Sequence, residues 1–126
     1  MKKEICAALA LLLLFIGALS NLTHLNKIME QIQTHIDYSL LYCSLEDYVA
    51  AHTETTKAKQ IWEDEERYSH VFIRHSEIDK MNDIFYDVLS AIQSHEKYEA
   101  EYHLKKLQHY ADNLVVMEQL SLGSVF

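Results

Sequence analysis

From residue 22 onward the apolar residues fall alternately three and four apart. Leu22, Leu25, Met29, Ile32 and Ile36 make one such stripe, the spacing that puts side chains on one face of a helix for packing against a neighbour. This helix should end near Cys43, because Ser44 to Asp47 ("SLED") reads as a capping box opening the next one. A second stripe runs through Val49, Ala58, Ile61, Tyr68, Val71, His75, Ile78, Asn82, Phe85, Leu89 and Ile92. From Ile61 it keeps an almost unbroken heptad register, with Asp64, His75 and Asn82 as its polar members. Ser76 with Asp79 repeats the capping-box pattern, so the stripe is either one helix or two, broken near Arg74 to Ser76. After the polar "QSHEKYE", a last stripe shows Ala100, Leu104, Leu107, Ala111 and Leu114. Gly123 is a natural helix terminator, and the apolar Val125 and Phe126 beyond it are expected to pack.

Composition narrows this to one fold class. There is no proline, and the only glycines are Gly17 and Gly123. Strand-and-turn architectures need frequent turn residues, so the chain reads as all-α. Its 126 residues hold one modest core. The expected architecture is an N-terminal transmembrane or signal helix (1–21), then an antiparallel bundle of three or four long helices (22–126).

The first segment has its own pattern. Lys2 and Lys3 precede fifteen uninterrupted apolar residues, Ile5 to Leu19. A helix from Ile5 to Leu22 would be about 27 Å long, just short of a hydrocarbon core. Two readings fit. Ala18 and Ser20 stand at the −3 and −1 positions of a signal cleavage before Asn21, which would release a secreted protein. Alternatively the segment stays as a single-pass anchor, which the resumption of the helical stripe at Leu22 favours. The two lysines place the N-terminus in the cytoplasm, so in both readings residues 22–126 face outward.

Charge and cysteines exclude other classes. Without Lys2, Lys3 and Glu4, the chain keeps 9 Lys and Arg against 18 Asp and Glu, a net charge of −9. Such a domain repels phosphate backbones, so nucleic acid is not an expected partner. The run "WEDEER" (Trp62 to Arg67) concentrates the acid and reads as a solvated helix face. Cys6 lies in the leader, leaving Cys43 alone on the outer side. A lone helical cysteine reads as a small core residue, although in an oxidising compartment it could bridge two copies into a homodimer.

At Ile61–Trp62, the "FIRHSEIDKM" segment from Phe72 to Met81, the helical hairpin after it and the terminal "SLGSVF", the chain resembles a family of small bacterial proteins. The family is catalogued as domain of unknown function four-three-six-three, and the likeness covers essentially the whole length. The family often has Gly-Asp-Trp where this chain has Glu46, Asp47 and Tyr48. It usually ends in Asn-Ile-Phe where this chain has Ser124, Val125 and Phe126. The resemblance implies a membrane-anchored helical protein, mostly of endospore-forming Gram-positive bacteria, with no established activity. It also implies a neighbouring integral membrane protein as partner.

Eight histidines in a short acidic chain raise the question of metal. None has a glutamate three residues before it, as the helical di-iron motif requires, and no two stand four apart as in the zinc-protease helix. His75 with Asp79 and His95 with Glu99 share helix faces, but two ligands do not complete a site, and Glu66 or His70 would have to help. A structural reading fits better: His75 sits in the stripe between Val71 and Ile78, and Asp79 one turn on can accept its hydrogen bond. No phosphate loop, nucleophile elbow or redox cysteine pair is present. The expected function is therefore non-enzymatic interaction beside a membrane, with no cofactor and no catalytic residues. The alternative is an extracytoplasmic metal or small-ligand binder using His75 and Asp79.

Overall fold

The computed structural model describes residues 1–68 and 75–125; the side chains of Tyr68, His75, Glu118 and residues 121–125 are outside that description. Four helices follow in order: α1 (Lys2–Ser44), α2 (Tyr48–Tyr68), α3 (His75–Gln93) and α4 (Lys97–Val125). Each packs on the next, and α4 packs back on α1, closing an antiparallel four-helix bundle. The second stripe is thus two helices; of the break expected near Arg74 to Ser76, Arg74 lies outside the described residues, as does Val71, and Ser76 lies in the first turn of α3.

The stripes on α1 and α4 are the core, as their periodicity requires. Leu25, Met29, Ile32 and Ile36 are buried against Ala100, Leu104, Leu107, Ala111 and Leu114 and the inner faces of α2 and α3. The middle of the core holds Trp62 and Phe85, both fully buried, together with Met81, Val88 and Ile92. The α2 stripe needs correction at two positions. Val49 is 80 % exposed, and Asp64 is exposed. The buried line of α2 is instead Ala51, Thr55, Ala58, Trp62 and Glu65, a regular 4-3-4-3 spacing that its polar members conceal. Thr55 belongs inside because its hydroxyl lies 2.7 Å from the hydroxyl of Ser39, which donates to the Ala51 carbonyl at 3.1 Å. Each buried hydroxyl therefore has a partner.

Both hairpin turns use the same device. At the end of α1 the Glu46 N–H donates to the Cys43 carbonyl and the Asp47 N–H to the Tyr42 carbonyl. At the end of α3, His95 and Glu96 make the same two bonds to Ile92 and Ala91. This is the Schellman closure, which needs one left-handed residue. Glu46 (φ 59°) and His95 (φ 54°) supply it. Ser44 is not the cap expected from "SLED": its hydroxyl turns back to the Leu41 carbonyl, and Asp47 caps α2 by accepting from the Ala50 N–H at 3.1 Å. A side chain in the left-handed region is strained, whereas glycine is not. Glu46→Gly should therefore raise stability by about 0.5–1 kcal/mol in denaturant melts, despite glycine's larger unfolded-state entropy.

Cys43 is fully buried, and burial first, with Glu101 nearby, pushes its thiol up to about 11. A disulfide between two copies through Cys43 would require this thiol to leave the core and ionise.

Candidate functional site

Two features of α1 separate it from the other helices. Every residue from Met1 to Gly17 is exposed, and Ala18 is the first that is half-buried. The exposed part is long and apolar enough to cross a membrane by length and composition. It includes Leu13 and Leu14, each about two-thirds exposed. The helix continues without interruption into the bundle, where its next turns become core.

Of the two residues singled out from sequence, Asp79 is exposed on α3 rather than buried, and the hydrogen bond expected between it and His75 lies outside the described residues. Its partner in that reading, His75, begins α3 with its side chain outside the described residues, and His70 lies outside them as well. Asp79→Ala should accordingly shift stability by less than about 0.5 kcal/mol, the usual result at an exposed position. Thermal melts of the two proteins check this. Asn82 does act as a polar core group: its side-chain carbonyl accepts the Trp62 indole N–H at 3.1 Å, fixing α3 against α2.

The histidines instead pair across helices. His24 Nε2 lies 2.8 Å from Glu65 Oε2, and His35 Nδ1 lies 2.7 Å from Glu54 Oε2. Both pairs join α1 to α2, and on each helix the two members stand eleven residues, about three turns, apart. Glu65 is 3 % exposed although it belongs to the acidic run read as solvated, while Asp64 beside it is exposed. Lys57 reaches Glu54 from the other side at 3.2 Å. Of the remaining imidazoles, His95 stacks on Tyr48 with ring centres 4.5 Å apart. His103 meets the edge of Tyr102, and its buried Nδ1 has no hydrogen-bond partner among the described residues. No group of three or more His, Cys, Asp or Glu side chains able to hold a metal is found among the described residues.

The hydrogen bond from His35, assisted by Lys57, holds the Glu54 carboxyl below its usual range. A depressed carboxylate contributes stability that is present above its unfolded pKa and lost as pH falls through the folded one. Melts from pH 7 to pH 3 should therefore show wild type losing stability below about pH 4.3, the ordinary glutamate value. Glu54→Gln should lose less over the same interval.

At the end of the bundle where the two turns meet, Tyr48, Val49, His52, Thr53, Ile92, Gln93 and His95 line an open groove of about 320 Å³. It is shallow, with Val49 directed mostly to solvent.

The model of the family described as "Domain of unknown function (DUF4363)" matches residues 19–125, the whole bundle. No curated protein and no solved structure matches the chain.

Proposed function

We propose that this chain, which belongs to the DUF4363 family, is a non-enzymatic single-pass membrane protein. Its bundle faces outward, and its role is to associate with an integral membrane partner. One observation carries this: α1 is at once an exposed apolar rod and a core helix of the bundle. From Ile5 to Leu19 it offers fifteen apolar residues, none of them buried by the bundle beyond the half-burial of Ala18. An apolar surface of that extent in a soluble protein marks a membrane or protein contact. Because the same helix carries Leu25 to Cys43 into the core, any movement of the span in the bilayer is transmitted to the bundle without a flexible joint. The lysines before the span favour a cytoplasmic N-terminus and an outward bundle.

The test is a crosslinking pulldown of tagged full-length protein from native membranes, with mass spectrometry of its N-terminus. Recovery of an integral membrane protein, together with an intact Met1 or Lys2 terminus, is the expected result. A mature terminus at Asn21 in the culture medium would replace the anchor with secretion.

A further inference from the structure

Beyond Leu114, α4 changes character. Val116, Met117 and Leu120 are 49 %, 41 % and 68 % exposed. On the helix Val116 and Leu120 lie on the side away from the buried Leu107, Ala111 and Leu114, and Met117, one turn beyond Leu114, lies on the flank between. From Leu107 to Phe126 there is no lysine or arginine, and after Asp112 the single charged residue is Glu118. An outward helix face that is apolar rather than charged is unusual in this bundle, whose other helices present acids and lysines to solvent.

The packing register against α1 gives the height of this face along the bundle. Gln33 on α1 donates to the Gln108 carbonyl and to Asp112 on α4, at 2.9 and 3.0 Å. Further along, Asn26 and Met29 line one groove with Val115 and Val116. The helices are antiparallel, so each residue forward on α4 corresponds to one backward on α1. Leu120 then stands near the level of Thr23, and Val125 near that of Ala18. Ala18, Asn21 and Leu22 are half-buried, whereas everything before Ala18 is exposed. The end of α4 thus reaches the same height along the bundle axis as the start of the apolar span.

We infer that the end of α4 lies in the interfacial layer of the bilayer that α1 crosses, with Leu120 against lipid and Met117 and Val116 at the outer edge of that layer. The inference rests on α1 being a membrane span. The occupant is lipid rather than protein because the apolar face runs down α4 toward the span: by the same register Val116 stands about 12 Å and Leu120 about 6 Å above Leu19, where the span's own apolar run ends. With no basic residue in this part of α4, the contact is hydrophobic and indifferent to lipid charge and to salt. It fastens the bundle at a second point, so that the bundle is held against the membrane in one orientation rather than pivoting on α1.

The experiment uses full-length Cys6→Ser protein in phosphatidylcholine nanodiscs. Single cysteines replace Leu12, Gln119 or Val49 and carry an environment-sensitive fluorophore; buried Cys43 does not compete for the label. Phosphatidylcholine spin-labelled near the glycerol, for the labels at 119 and 49, and near the end of the acyl chain, for the label at 12, is the probe. Labels at 12 and 119 should be quenched and the label at 49 should not, with no change at high salt. Adding Met117→Glu and Leu120→Glu should abolish quenching at 119 and leave that at 12 intact. Quenching at 12 with none at 119 overturns the inference while the anchor stands, and leaves the face to a protein. Absence of quenching at both positions overturns the inference together with the anchor. Quenching at 119 that survives the double glutamate change also overturns it, because the apolar contact would then not be what holds α4 at the lipid.

Discussion

Replacing Trp62 with alanine is expected to lower the free energy of unfolding by about 3–5 kcal/mol, the range found when a buried aromatic leaves a cavity. Trp62 is fully buried at the centre of α2, so its loss opens a void lined by α2 and α3. It also leaves the Asn82 carbonyl without the indole donor it has in the native bundle. Phe85→Ala, at an equally buried position on α3, should fall in the same range but without the polar component. Trp62→Phe separates the two effects: most of the packing remains, the donor is lost, and the cost should be about 1–3 kcal/mol. Chemical denaturation followed by circular dichroism measures all three. A Trp62→Ala protein as stable as wild type would show that the α2 face has been assigned to the wrong side.

The second large effect concerns His24 and Glu65, and it is asymmetric. Glu65 is buried and His24 is about half-exposed. Removing the exposed partner withdraws one hydrogen bond from the buried carboxylate, and a hydrogen bond to a charged group is worth about 1.5–3 kcal/mol. Removing the charge instead, in Glu65→Gln, leaves an amide of the same shape that can still bond the imidazole, and should cost less than about 1 kcal/mol. His24→Ala should therefore be the more damaging change even though it lies nearer the surface. Equal losses would mean that the pair acts as an ordinary surface ion pair, worth little in either direction. Glu63→Gln on the exposed side of α2 is the control and should stay within about 0.5 kcal/mol.

These pairs also mark where sequence reasoning stopped short. His75–Asp79 and His95–Glu99 drew attention because they share a helix, where spacing alone fixes proximity. The pairs that form, His24–Glu65 and His35–Glu54, lie in different helices. A signal for them was present: each pair is centred on the turn at residues 44–45, as antiparallel neighbours must be. Using it required knowing that α1 and α2 pack directly and which faces meet. The polar residues on the inner face of α2, Thr55 and Glu65, broke the apolar stripe there and shifted the expected face toward Val49 and Asp64.

What the sequence by itself determined is everything that depends on local period and composition. The absence of proline, the scarcity of glycine and the stripes on α1 and α4 required an all-helical bundle, because only helix burial satisfies that spacing. The uninterrupted apolar run before Leu22 likewise set apart a segment that the bundle does not bury. Tertiary structure decided what depends on neighbours distant in sequence. It placed Glu65 inside and Asp64 outside, although both belong to one acidic run. It exposed Asp79 and gave Asn82 the Trp62 indole to hold. It also brought the end of α4 to the height where α1 turns apolar. A single helix's periodicity names the face that is buried; the imidazole that meets the buried Glu65 carboxyl comes from another helix, and only packing brings it there.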